Sequence, residues 1–326
     1  MNKIVLIYDG DAIAYRAAAI IEERKVEVLH VPTALTRQFK TRTEFKEQLL
    51  AKGKEFDPEI YKFKDILIPQ DKVNAFHIMK NQIRSINEKL FADEYYIALS
   101  GKSNFRDNLE LPEKYKGHRE SMIRPTHLKE CKNYLWKSHP SILAQNEEAD
   151  DVVIYKGYEF LSKGQTPIIV GMDKDSYAYG GLTLFDFTKE QPQTESVPLG
   201  LGYLEYTGKK YTGRGFIWFA FQWLVGDVTD HYCPYKLSGA YFGAASAYKL
   251  IKDCKSEQEV LDLVIKQYKK WYPGEFKYTA WDGTEVISDA KKMLQLYFKC
   301  ARMKETHDDD LNLDRFLNRY GVKYED

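Results

Sequence analysis

Nine acidic side chains fall in four tight groups: Asp9 and Asp11; Glu148, Asp150 and Asp151; Asp173 and Asp175; Asp227 and Asp230. Three of the groups sit at or just after apolar runs that read as strands or buried helices. Burying a lone carboxylate is costly, so packing alone does not explain acids at such edges. Acids from separate segments become compatible when hard divalent cations lie between them. Mg²⁺ and Mn²⁺ take oxygen ligands, and such sites often serve phosphate chemistry. Two ions about 4 Å apart can activate water and steady the leaving oxygen of a phosphodiester, with no serine, cysteine or histidine nucleophile. The seven histidines form no paired zinc motif, and no lysine-bearing phosphate loop is present. Taken singly, each group has a plainer reading. Residues 147–151 suit a charged helix N-terminus, residues 173–175 an ordinary turn, and Asp227 with Asp230 a helix cap. Their coincidence points to a metal centre.

The elements that must position these acids follow from periodicity. Residues 3–8 and 95–99 read as buried strands, 167–171 as a third and 182–187 as a fourth. Helical spacing covers 12–23, 71–90 and 147–161. Strands alternating with helices predict an α/β fold with a mostly parallel central sheet flanked by helices. In such sheets ligands bind beyond the carboxyl ends of the strands. Asp9 ends the first strand, and Asp173 and Asp175 follow the third, so the two pairs are expected to converge. Glu148 and Asp151 are three apart and share a helix face, with Asp150 adjacent. Residues 24–70 are basic and aromatic without a clear period, and read as an insertion that is helical around 44–52. Residues 101–126 look loop-like, with Gly101, Pro112, Gly117 and Pro125 among charges. Residues 188–215 are turn-rich. From Phe216 the pattern is mainly helical (221–224, 240–251, 258–272 and 289–303), with a small hairpin near Asp282-Gly283. The expected division is an α/β core over 1–187, including the insertion and an arch at 101–140, and a helical subdomain over 188–326.

Composition narrows the class. Of 326 residues, 44% are hydrophobic and 29% charged, ordinary for a soluble globular protein. No run reaches the length of a membrane span, and the N-terminus is acidic too early for a signal peptide. The expectation is a cytoplasmic protein with no membrane partner. Cys131, Cys233, Cys254 and Cys300 lack zinc spacing and read as free thiols. Lys/Arg and Asp/Glu number 48 each, which excludes a simple polycation. Local balance differs: residues 102–140 carry nine Lys/Arg against five acids, and 146–186 eight acids against three lysines. A basic segment beside an acidic one suits a protein that grips a polyanion and holds metals.

These residues, in this order, resemble the flap endonuclease and 5′→3′ exonuclease superfamily, in particular bacteriophage 5′-exonucleases and the 5′-nuclease domain of bacterial DNA polymerase I. The likeness rests on Asp9-Gly10-Asp11 with Ala14-Tyr15-Arg16-Ala17. It continues through Phe105-Arg106 and Leu111-Pro112-Glu113-Lys114-Tyr115-Lys116-Gly117-His118-Arg119. Glu148-Ala149-Asp150-Asp151, Gly171-Met172-Asp173-Lys174-Asp175 and Gly226-Asp227-Val228-Thr229-Asp230 complete the acid motifs. Ser238 to Ala247 is similar to the family's glycine-containing helix-three-turn-helix.

The resemblance implies roles. Asp9, Glu148 and Asp150 would hold one Mg²⁺, for which Mn²⁺ can substitute. Asp173, Asp175, Asp227 and Asp230 would surround a second, with Asp151 near both and Asp11 auxiliary. Lys116 and Arg119 would descend from a helical arch onto the scissile phosphate, where a cation offsets charge developing in the transition state. Tyr115 would stack on a terminal base. Tyr15, Arg16 and Arg106 would contact DNA, and Gly239, Gly243 and Ser246 would hold the duplex backbone through main-chain N–H groups, with a K⁺ shared with phosphate. The implied activity is two-metal hydrolysis of DNA at 5′ ends, nicks and flaps, extending to RNA–DNA hybrids, in phage replication or DNA degradation. Three departures stand out. The stretch Ser100-Gly101-Lys102-Ser103-Asn104 lacks the family's acid after the second strand, the turn after Gly239 is looser than the family's Gly-x-Gly-x-Gly form that binds K⁺, and residues 24–70 have no counterpart. The rival readings are a non-catalytic DNA-junction binder, supported by that missing acid, and an RNA-directed nuclease. A Ca²⁺-binding structural module lacks an EF-hand loop.

Overall fold

The computed structural model describes residues 2–325. In chain order come β1 (Ile4–Asp9), α1 (Gly10–Ile20), β2 (Glu22–His30), β3 (Leu35–Phe39), α2 (Arg42–Leu50), β4 (Tyr61–Pro69), α3 (Lys72–Lys89) and β5 (Glu94–Leu99). Next are α4 (Leu128–Ser138), β6 (Ser141–Leu143), α5 (Ala149–Ser162), β7 (Thr166–Gly171), β8 (Thr183–Asp186), β9 (Thr194–Ser196), β10 (Tyr203–Tyr206) and β11 (Tyr211–Arg214). The last are α6 (Phe216–Val225), α7 (Ala244–Ile251), α8 (Glu257–Trp271), β12 (Phe276–Thr279), β13 (Glu285–Ser288), α9 (Ala290–Ala301) and α10 (Leu313–Arg319). Two compact units share this chain. The first comprises the residues through 11, 87–122 and those from 139 onward; the second comprises 12–86 and 123–138.

The first unit is built on a six-stranded sheet in the order β6-β5-β1-β7-β8-β9. Every pairing is parallel except that of β9 with β8. Val5, Leu6, Ile7 and Tyr8 are wholly buried, and four of the six residues of β7 are buried, which is why these strands read as continuous apolar runs. The strand order turns back between β1 and β7: β5 and β6 extend one way from β1, β7 and β8 the other. That reversal opens a crevice at the carboxyl ends of the two central strands, where Asp9 and the segment after Gly171 lie. Behind the sheet, one apolar core runs from Val5 to Val322. The expected boundary at 187 therefore falls inside the first unit. Nine of ten residues of α6 are buried, and Trp223, Phe219, Phe298 and Phe316 pack ring against ring around it. The expected hairpin is β12–β13, with Gly283 at φ +91°.

The second unit corrects the reading of residues 24–70. They hold α2 where helix is expected, but also an antiparallel sheet in the order β3-β2-β4. On β2, Val26 and Val28 are buried on either side of Glu27. Pairing of Glu22 with Pro69 begins this sheet and stops α1 at Ile20 rather than 23. Buried Glu22 accepts hydrogen bonds from Thr126 N and Oγ1 at 2.8 and 2.6 Å, and the Phe76 and Tyr134 rings stack at 4.5 Å. The arch expected over 101–140 is α-helical only at α4, in this unit. Residues 101–122 carry two single 3₁₀ turns, Phe105–Asn108 and Gly117–Glu120. Residues 188–215, expected as turns, supply the short strands β9 to β11. No helix among the described residues is long and apolar enough to cross a membrane, and all four cysteines are free.

Candidate active site

Asp9 is fixed by the turn from β1 into α1. Gly10 makes that turn possible: a Cβ there would meet Ile97 Cγ2 at 2.4 Å and Ala98 O at 2.7 Å. One residue on, the Asp11 carboxylate accepts from Ser100 N at 3.3 Å, and Ser100 Oγ accepts from Ala149 N at 3.3 Å. Ser100 therefore ties β5 to the start of α5. Asn104 is spent locally, its side chain accepting from Arg106 N at 3.0 Å.

The three acids at the start of α5 have different surroundings. Asp151 is completely buried. Its two oxygens accept from Arg106 Nη1 at 2.6 Å and Nη2 at 3.0 Å, from Glu148 N at 3.0 Å and from Lys304 N at 3.0 Å. Burial alone would raise its pKa, but the Arg106 charge and these donors hold it below the usual carboxylate value. In this arrangement both Asp151 oxygens are occupied by these four donors. Arg106 is buried beside it and also donates to the carbonyls of Lys299 (3.0 Å) and Arg302 (2.7 Å) at the end of α9.

Glu148 points instead at cations. It pairs with Lys116, accepts from the Tyr115 hydroxyl at 3.1 Å and stands 3.6 Å from Arg106 Nη1. Asp230 faces the same groups: Arg119 Nη2 at 2.8 Å, Tyr115 OH at 2.8 Å and Lys116 Nζ at 3.5 Å. Tyr115 is only 3% exposed and packs on the Tyr232 ring. In this structure the ring is buried, and the hydroxyl joins the Glu148 and Asp230 carboxylates. The segment is held by Lys116 N donating to Asp230 O at 2.9 Å. Lys116 and His231, on the two facing turns, both adopt positive φ, +52° and +63°. Such backbone is uncommon for non-glycine residues and persists where the surroundings over-determine it. The burial that would lower the Lys116 pKa is outweighed by Glu148 and Asp230, which raise it.

Asp150 lies among acids. Burial raises its pKa well above the ordinary value, and Asp173, Asp9 and Glu148 push the same way, with Lys116 opposing. Asp175 is likewise raised, by burial and then by Asp173, although Gln222 Nε2 donates to it. Asp173 is raised too, chiefly by burial, while its side chain accepts from Asp175 N at 2.9 Å. Asp227 is the exception. Its own turn donates Thr229 N at 2.6 Å and Oγ1 at 2.5 Å, and Lys174 Nζ sits 2.7 Å away, so its pKa is lowered despite burial.

The folded chain thus brings Asp9, Glu148, Asp150, Asp173, Asp175, Asp227 and Asp230 into one electrostatic neighbourhood with Lys116 and Arg119. Among the described residues, no three acidic, histidine or cysteine side chains form a ready-made ligand set for one ion. The donor chemistry nonetheless fits a hard cation: every candidate ligand is an oxygen, and Asp150, Asp173 and Asp175 repel one another without full compensation. Sequence reasoning missed Lys174 and Gln222 as partners of Asp227 and Asp175. A lysine between two motif acids was the available signal for the first; nothing marked the second.

The remaining expected residues lie elsewhere. Tyr15 and Arg16 belong to the second unit and are exposed. Gly239 (φ +65°) stands on the turn before α7 with no atom within 4 Å of a Cβ position, and Gly243 is the N-cap of α7, leaving its first N–H groups without a side-chain partner. Ser246 is half-buried in the first turn of α7.

No known family model matches the chain, and no curated protein matches it. Among solved structures, the chain is similar to the bacteriophage T5 5′-exonuclease with zinc bound, at 13% identity and a TM-score of 0.46 over 90% of this chain and 89% of that one. A bacteriophage T5 flap endonuclease in complex with DNA and metal ions is similar at 14% identity and a TM-score of 0.44, over 92% of this chain and 99% of that one.

Proposed function

We propose that this protein is a divalent-metal-dependent nuclease that hydrolyses DNA phosphodiesters at 5′ ends, nicks or flaps. The observation that carries the reading is the group of mutually repelling carboxylates Asp150, Asp173 and Asp175 beside Asp9, at the carboxyl ends of β1 and β7. Repulsion of that kind is a standing cost to the fold, and sites that bear it are commonly functional. Asp9, Asp150, Asp173 and Asp175 would hold Mg²⁺ or Mn²⁺, with Glu148, Asp227 and Asp230 at the margin. A bound divalent ion supplies Lewis-acid charge for activating water and offsetting the leaving oxygen.

The chain's own residues supply the rest. Lys116 and Arg119 now neutralise Glu148 and Asp230. A phosphate entering the crevice competes for both cations, which would then clamp its non-bridging oxygens. Tyr115 and the amide of Lys116 keep this segment docked on the 227–231 turn as the side chains exchange partners. The exposed turn around Gly239 and the glycine-capped start of α7 would take duplex phosphate through backbone N–H groups, with K⁺ as a shared counter-ion. RNA–DNA hybrids and a role in phage replication belong to the same reading.

The test is cleavage of 5′-labelled and 3′-labelled flap, nicked-duplex and single-stranded DNA in Mg²⁺, Mn²⁺ or EDTA, with Asp173→Asn beside wild type. Metal-dependent release from the 5′ end, reduced about 10²–10³-fold or more in the variant, is expected. Binding without cleavage in either metal would instead favour the junction binder, which Ser100 in place of an acid supports.

A further inference from the structure

We propose that the second unit carries a pocket for single-stranded nucleic acid, one base seated among aromatic rings and the strand's phosphates held by cations at the rim. The sheet of this unit has one built face. Val26, Val28 and His30 alternate along β2. The register sets Phe39, Arg37 and Leu35 beside them on β3, and Phe63 and Tyr61 beside Val28 and His30 on β4. Helix α2 packs on this face through Phe45 and Leu49, and beside it remains a cavity of about 270 Å³. That is a little under the ~300–1,000 Å³ of pockets for drug-sized ligands, which suits a single base.

The lining has the chemistry of a strand-binding site. Phe39, Phe45 and Tyr61 contribute rings. They are braced from behind: Phe45 meets Tyr61 at 5.1 Å, and Phe56 stacks on Phe63 at 5.1 Å with planes 8° apart. Arg37, Lys52 and Lys54 are exposed lining residues, and none has an ion-pair partner among the described residues. His30 lines the cavity too, held by Thr33 at 2.6 Å. No acid lines it, in a chain with equal numbers of acids and bases. Of the acids nearby, Asp65 is engaged with Arg42 and Glu44 with the start of α2. Rings that accept any base face, with unpaired cations beside them, are how proteins hold single strands without reading sequence. An acidic peptide would use the cations but leave the rings idle.

The proposal extends the nucleic-acid reading above but is scored apart from hydrolysis. The full-length chain is titrated in EDTA with a labelled oligothymidylate of about twelve nucleotides, within the ~4–16 that single-strand modules span. A second oligomer carries one 2-aminopurine. Wild type is expected to bind and to quench the 2-aminopurine as the base stacks. Reversing two exposed charges, Arg37→Glu with Lys54→Glu, should weaken binding about tenfold or more and flatten the salt dependence by roughly 0.7 per lost phosphate contact. Tyr61→Leu should keep the salt slope and lose the quenching. Unchanged affinity in the charge-reversal variant would overturn the proposal. So would unquenched 2-aminopurine on wild type, a result that needs no variant to fold. An oligoglutamate peptide or a mononucleotide competing as well as the oligomer would also overturn it. Binding here by a protein that cleaves nothing would sink the nuclease reading and leave this one intact.

Discussion

Asp150 and Asp151 are neighbours in sequence with opposite electrostatics, and both consequences are measurable. Asp151 is held ionised by Arg106, so its folded pKa is depressed. Its contribution to stability is fully present above the ordinary carboxylate range near pH 4 and is lost as pH falls through the folded pKa. Asp151→Asn should destabilise by about 3–5 kcal/mol at neutral pH, because Arg106 is left buried without its counter-charge. Denaturant melts from pH 7 downward should show that deficit shrinking in acid. A constant deficit would mean that Asp151 acts by shape alone. Asp150 has the reverse sign. Its folded pKa is raised, so it opposes folding at neutral pH and ceases to do so as pH falls below the unfolded carboxylate value. Asp150→Asn should therefore raise Tm at pH 7 by about 2–4 °C, with the gain fading near pH 4. A lowered Tm at neutral pH would remove the repulsion from which the metal reading is argued.

At the scale of elements, the site depends on two joints. The turn from β1 to α1 has no room for a side chain at Gly10, where Ile97 and Ala98 already touch the space. Gly10→Ala should cost about 1–3 kcal/mol by overpacking and displace Asp9. The second joint is the β12–β13 hairpin. Trp281 donates from N to Leu111 O at 2.9 Å and from Nε1 to Leu109 O at 3.1 Å, and Tyr278 donates to Glu110 O at 2.7 Å. The hairpin thereby clamps the approach to Tyr115 and Lys116 from outside the acid cluster. Trp281→Ala should lower the cleavage rate while leaving divalent-ion affinity near wild type. Equal loss of both would place the hairpin's role in general stability.

For the whole molecule, legibility in the sequence follows burial. Strands β1, β5 and β7 announce themselves because central parallel strands are apolar on both faces, and α5, α8 and α9 because one face of each is buried. The three-stranded sheet in 24–70 is hidden because few of its residues are buried and charged and apolar residues mix at its exposed positions. Helix α10 is hidden by its seven residues. Spacing alone marked the acids, since placing oxygens at strand ends is a local property. It could not separate Asp151 from Asp150, because their difference lies in Arg106 and Lys304, distant in sequence. Nor could it show that Tyr115 turns inward or that Lys174 reaches Asp227. Those facts depend on long-range packing, which a motif does not encode.

The most direct check on the central claim is a calorimetric titration of Mg²⁺ and Mn²⁺ into the protein without DNA, for wild type, Asp150→Asn and the charge-paired control Asp227→Asn. The account predicts saturable binding by wild type that raises its Tm with metal concentration. It predicts loss of that response in Asp150→Asn and a smaller weakening in Asp227→Asn, whose carboxylate Lys174 already satisfies. Equal metal response in wild type and Asp150→Asn would contradict it.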